Sequence, residues 1–204
     1  MAIVTVSKEY AAESEVFAEK LASRLGYSIL DKEFITEAAK QLNISEAEAS
    51  LLRRGRESRL LQLIDRYTAA TIQKIVDRGY GRLDDRSYYE VTRDLILKAA
   101  EQDNVIIVGW GGQCILADHP KAVHIRVVKN LEERIAILKQ KYDLDDRGAK
   151  ELIEREERES AKYIEHYFKR SWDDAHLYHL VINLSRVTFE QAVDMVVQLV
   201  NSVA

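Results

Sequence analysis

Five short runs of aliphatic and β-branched residues interrupt a chain that otherwise reads in helical periodicity. They lie at 3–6, 105–108, 123–128 and 180–184, with a weaker one at 27–30. Each is continuously apolar rather than alternating, the mark of strands covered on both faces, as in a parallel sheet. Between them apolar residues recur at helical spacing, first at Val16, Phe17, Leu21 and Leu25, which places them on one side of a helix. Strands alternating with helices predict an α/β fold: a parallel sheet of five strands with crossover helices on its faces.

The longest interval, 32–102, carries no strand pattern. It predicts a helix at 32–41, another opened by the capping box Ser45-Glu46-Ala47-Glu48 and stopped at Gly55, a third at 58–76 and a fourth at 86–102. This is an all-helical insertion between the second and third strands. A second helical excursion, 145–167, is dense in Glu, Arg and Lys and reads as a solvated helix. One proline and few loop signals leave no linker or repeat, so 1–204 reads as one domain.

Composition narrows the function classes. The 204 residues are 47% hydrophobic and 31% charged, enough for one core. The net charge of −4, with both signs intermixed, gives no basic field for a nucleic acid, and none is expected as a partner. No apolar run reaches the ~18 residues of a membrane span, and the N-terminus reads as a short strand rather than a leader. No membrane association is expected, and the expected location is the cytoplasm. Cys114 is the single cysteine and no Cys/His set has zinc-ligand spacing, so neither an internal disulfide nor a metal is expected.

Candidate chemistry gathers at three places. The stretch SKEYAAESEV, 7–16, joins the first strand to the first helix. A nucleotide-binding α/β protein puts a glycine-rich phosphate loop at such a junction, where backbone N–H groups turn inward around the anion. This stretch has no glycine. Its Glu13 and Glu15 would bring negative charge towards a polyphosphate, at ~4 kcal/mol for each contact at ~4 Å with an effective dielectric of ~20. Glutamates suit the first turn of a helix, so an ordinary helix start at 11–16 is the competing reading. Gly109-Trp110-Gly111-Gly112-Gln113 follows a buried strand and offers close backbone approach at a helix start; Trp110 suits a base, an apolar partner or simple packing. Glu157-Arg158-Glu159-Ser160-Ala161-Lys162-Tyr163 is the third.

The ordered set of the 7–16 junction, YSILDKEFITEAAKQL, VIIVGWGGQCIL, HIRVVKNLEERI and YIEHYFKRSWDDAHLYHLVINLSRVTFEQAVDMV resembles the cytidylate-kinase-like family, P-loop kinases of nucleoside monophosphates. The resemblance spans almost the whole chain and is most specific in the last stretch. It implies a P-loop kinase fold, with 32–102 as the monophosphate-binding-like insertion and 145–167 as a lid-like segment. The family's first motif is similar to Ser-Arg-Glu-Tyr followed by a Gly-Ser-Gly-Gly type loop. Ser7, Glu9 and Tyr10 match, Lys8 replaces arginine, and Ala11, Ala12, Glu13 and Ser14 occupy the glycine-rich positions. The second resembles Gly-Arg-Gly-Gly, with Trp110 in place of the arginine and Gly111 and Gly112 kept. The lid resembles Asp-Arg-x-Arg-x-x-Tyr, with Arg158 kept, Ser160 replacing the second arginine and Glu157 the aspartate.

By this resemblance Lys8, Arg134 and Arg158 are the candidates for phosphoryl-transfer chemistry; Arg134 also reads as a surface pair on its own helix. Asp31, Arg53, Arg54, Arg56, Trp110, Gly111 and Gly112 are the candidates for substrate binding. Asp31 equally suits a helix N-cap, and the arginine cluster, extended by Arg59, a solvated face. The segment Ser7, Ala11, Ala12, Glu13, Ser14 and Glu15 is a degenerate phosphate loop. The five histidines read as structural or solvent-facing.

Two function classes follow. In the first, the chain binds a nucleotide, another anion or a protein partner with little or no phosphoryl transfer, and no cofactor is certain. In the second, it is an active kinase of a pyrimidine monophosphate that requires ATP and magnesium. Surplus apolar residues at Leu60, Leu61, Leu63, Ile64, Ile72, Ile75 and Val76 exceed one core-facing stripe, so a homodimer is expected.

Overall fold

The computed structural model describes residues 2–31 and 86–203. Strands β1 (Ile3–Lys8), β2 (Ser28–Leu30), β3 (Val105–Val108), β4 (Ala122–Val128) and β5 (Leu180–Asn183) form one sheet in the order β2-β3-β1-β4-β5. Every neighbouring pair is parallel. The helices are α1 (Ser14–Leu25), α2 (Arg86–Ala100), α3 (Gly112–Ile115), α4 (Leu131–Tyr142), α5 (Asp146–Phe168) and α6 (Phe189–Val203), with a 3-10 turn at Ala175–Leu177. Among the described residues the five strands and the helices between them fall where the apolar pattern predicts them; the helices expected at 32–41, 45–55 and 58–76 lie outside the described residues. Of the insertion, α2 alone lies among the described residues. The arginine cluster at Arg53, Arg54 and Arg56, and the apolar surplus assigned to dimer formation, lie outside them.

The strands are buried on both sides because each has two helical layers to meet. Successive side chains of a strand point to opposite faces. Val4 and Val6 pack with Phe17 and Leu21 of α1 and Val193 and Val196 of α6. Ile3 points the other way, into a cluster with Leu95 and Ile96 of α2, Trp110, and Tyr163 and Ile164 of α5. Local chemistry fixes the helix ends. Gly26, at φ 68°, ends α1 in the left-handed conformation. Asp145 caps α5 by accepting from the Gly148 N–H at 2.7 Å. Thr188 and Gln191 form a reciprocal capping box at the start of α6.

The topology fixes where a ligand crevice can form. From β1 the chain crosses towards β2 on one side of the sheet, whereas from β4 it proceeds to β5 on the other. The connections diverge between β1 and β4, and open α/β sheets place ligands outside the carboxyl ends of the strands at such a point. The segments entering it are residues 9–13 and 129–134.

Candidate functional site

The junction after β1 is not an ordinary helix start. Helix α1 begins at Ser14, and Ala11 (φ 62°) and Glu13 (φ 57°) before it are both left-handed. For a residue with a Cβ this conformation costs ~1–2 kcal/mol, so the surroundings must impose it. Ala12 between them is anchored in the core, Glu9 N–H continues the strand ladder to Val127 O at 3.0 Å, and Glu9 Oε2 accepts from the Lys129 N–H at 3.0 Å. The turn is built without glycine, from residues that carry a Cβ.

The cations around this turn are engaged by carboxylates of the same chain. Lys8, at the end of β1, pairs with Glu15 of α1. Burial opposes ionisation of Glu15, but Lys8 and Ser14 outweigh it and hold its carboxyl below the ordinary value. Lys129, one residue beyond β4, lies 2.8 Å from Glu13 and 3.2 Å from Glu133. Burial disfavours its charge, yet the two carboxylates raise its pKa. Arg134 is buried on α4. It pairs with Glu157 of α5, donates to Tyr10 O at 3.3 Å and lies 3.7 Å from Glu9. Arg134 is therefore not a surface pair within its own helix; it faces the crevice, bridging the loop and α5.

The glycine turn after β3 is filled differently. Trp110 is left-handed at φ 51° and 3% exposed, part of the core with Tyr163, Ile164 and Trp172. A Cβ on Gly111, at φ 70°, would lie 2.7 Å from Phe168 Cε2, and one on Gly112 would lie 3.3 Å from Thr5 Cγ2. The close approach that these glycines permit is made by α5 and β1. Around it Tyr89 stacks on Tyr167 at 4.4 Å between ring centroids, and Tyr163 and Phe168 complete an aromatic layer.

A polar cap joins the two junctions. Ser7 Oγ accepts from Trp172 Nε1 at 2.9 Å, and the Tyr178 hydroxyl lies 2.9 Å from Trp172 O and 3.3 Å from Ser7 Oγ. Arg126 of β4 donates to Trp172 O and to Asp173, with its guanidinium 4.3 Å from the Trp172 ring. Beneath Ser7, Lys8 and Tyr10, beside Trp110, Gln113 and Ser160, is a cleft of about 50 Å³, where small-molecule pockets commonly hold ~300–1,000 Å³.

The structure thus brings together Ser7, Lys8, Ala11, Ala12, Glu13, Ser14, Glu15 and Arg134 around the first junction and Trp110, Gly111 and Gly112 at the second. Asp31 follows β2 at the same end of the sheet. Arg158 points away, exposed on α5, one residue from the inward Glu157. Burial pushes the Cys114 thiol up to about 11, which keeps it protonated and unreactive. Among the described residues no helix is long and apolar enough to cross a membrane. Sequence reasoning missed Lys129, Glu157 as an inward group, and Arg126. Lys129 had a signal, a cation closing a buried strand with Glu133 four residues on; Arg126 had one too, a charge inside an apolar strand.

Solved structures share this architecture. A crystal structure of an uncharacterized protein from Eubacterium ventriosum ATCC 27560 matches with a TM-score of 0.67 at 18% identity over 99% of each chain. Shikimate kinase from Bacteroides thetaiotaomicron matches at 0.54 and 12% identity over 98% of each chain. Shikimate kinase from Acinetobacter baumannii in complex with shikimate matches at 0.51 and 8% identity, over 99% of this chain and 94% of that one. These identities speak to the fold alone. No curated protein sequence matches. The model of the cytidylate kinase-like family matches residues 3–186, nearly the whole chain and both junctions, and the protein belongs to that family.

Proposed function

We propose that this is a degenerate member of its family, one that binds a nucleotide, another anion or a protein partner with little or no phosphoryl transfer. One observation carries the reading: Lys8, Lys129 and Arg134, the cations facing the turn after β1, are held by Glu15, Glu13 with Glu133, and Glu157 with Glu9. Three positive charges meet five carboxylates, so a triphosphate entering there would meet net negative charge. Phosphoryl transfer depends on the opposite arrangement, with cations aimed at the transferring group. The residues present do not fit a magnesium triphosphate: Ser14 Oγ donates to Glu15 Oε2 at 3.1 Å, and Glu13 stands where the loop would cradle phosphate.

Calorimetry with ATP at 1 mM, with and without magnesium, tests this, together with a coupled assay using CMP as acceptor. The expected result is no stabilisation and no turnover, where a ligand at a hundredfold its Kd would add ~2.7 kcal/mol. Micromolar ATP binding would instead establish the kinase reading.

A further inference from the structure

Tyr10 follows β1, yet its side chain belongs to the hairpin of α4 and α5. That hairpin has a small apolar core of its own, made by Leu138 of α4 with Ala149 and Ile153 of α5 and flanked by Ile135 and Leu152. Among the described residues, Tyr10 and Ala11 are the two from outside the hairpin that pack against it. The Tyr10 backbone is fastened there as well: its N–H donates to Glu157 of α5 at 3.3 Å, and its carbonyl accepts from Arg134 of α4 at 3.3 Å. Its hydroxyl faces Tyr142 at the end of α4. The other ion pairs of the hairpin's outer half close within it, as Lys139 with Asp146 and Arg147 with Glu151. Tyr10 is at the same time a wall of the cleft of about 50 Å³, together with Ser7, Trp110 and Trp172. Leu138, Ala149 and Ile153 do not line that cleft. One aromatic ring therefore joins the cleft to a core that lies outside it. Ala11 beside it is left-handed at φ 62°, a conformation that persists only while the surroundings impose it.

We propose that Tyr10 is a gate over this cleft, kept closed by the apolar core of the α4–α5 hairpin, so that a ligand enters only when the ring leaves that core. The inference deepens the proposed function: it takes from that reading a ligand at the turn after β1, and adds what governs its entry. The hairpin acts on the cleft through Tyr10, and release of the ring also frees the strained backbone at Ala11.

The chain's two tryptophans, Trp110 and Trp172, both line the cleft, so acrylamide quenching of their fluorescence reads its opening. The test compares the unmodified protein with Tyr10→Ala and Leu138→Ala. Leu138→Ala decides, because it loosens the hairpin core and leaves every residue lining the cleft in place. The expected result is a quenching constant raised in both variants by about fivefold, the shift in an open population that a lost buried contact brings. Amide exchange should quicken at 9–13 and 135–153 and stay unchanged in β4. A rise in Tyr10→Ala alone overturns the proposal, since deleting a wall exposes the tryptophans without any gate. So does a rise in neither variant, or one accompanied by equal loss of protection in β4. If circular dichroism shows Leu138→Ala unfolded, Ile153→Val trims the same core by one methyl group and faces the same criteria. Micromolar ATP binding by the unmodified protein would overturn the degenerate reading alone, and the quenching comparison would still decide the gate.

Discussion

The two strand-to-helix junctions at the carboxyl end of the sheet solve one problem in opposite ways. After β1 the turn is held by charge: Glu13 on Lys129, Glu15 on Lys8, Glu157 on Arg134. After β3 it is held by shape: Phe168 and Ile164 against Gly111, with Trp110 in the core. The first junction has left-handed backbone at Ala11 and Glu13 without a glycine; the second has two glycines, with Phe168 and Thr5 packed against them.

The comparison predicts that damage to the second junction costs stability and damage to the first costs little. The largest effect is expected from Trp110→Ala, which empties a buried aromatic site and should cost ~3–5 kcal/mol in denaturant unfolding. A loss below ~1 kcal/mol would show that the aromatic layer does not hold the turn.

The next effect lies just beneath the second junction. His124 of β4 is buried and bonded through Nδ1 to Thr5 Oγ1 at 2.8 Å, and Thr5 is the residue against Gly112. Burial, and then repulsion from His179 and His119, pushes its pKa down to about 4. An unfolded chain protonates histidine near pH ~6.5. Below that pH the unfolded state takes up a proton that the folded state refuses, so stability present above ~6.5 falls as the pH drops towards 4, by ~3 kcal/mol. Unfolding free energies across that window should show this slope, and His124→Gln should flatten it.

The smallest effect is expected from Ala11→Gly, which restores glycine to the turn after β1. Relief of the left-handed alanine is largely cancelled by the freedom glycine gains in the unfolded chain, so the change should stay within ~1 kcal/mol. Because the carboxylates remain, ATP binding should stay absent in the same calorimetric measurement. Recovery of ATP binding by this one change would mean that backbone geometry, rather than charge, closes the site.

Much of this was legible in the sequence. Continuously apolar runs such as 105–108 announced doubly covered strands, and the stretch with Glu13 and Glu15 marked the junction whose carboxylates meet Lys129 and Lys8. What stayed hidden has one physical character: it joins residues far apart in the chain. Periodicity shows that 145–167 is a charged helix, but every glutamate on it looks equally solvated until α5 is laid against the loop and Glu157 alone meets Arg134. Trp110 was equally ambiguous, because a tryptophan beside a glycine suits a ligand or a core, and Phe168, far along the chain, decides what it packs against. The helix start expected at 11–16 came out in part: α1 begins at Ser14 with Glu15 in its first turn, and 11–13 lie before it. Local preference favours helix there, and core burial of Ala12 together with the ladder bond from Glu9 imposes a turn.

Helix α5 touches both junctions. Glu157 grips the first and Phe168 seals the second, ~16 Å apart along one rod at 1.5 Å rise per residue. A rod held at two points ties them together: a change that moved Phe168 off Gly111 would bear on the hold of Glu157 on Arg134, and linkage would require the reverse effect to carry the same free energy.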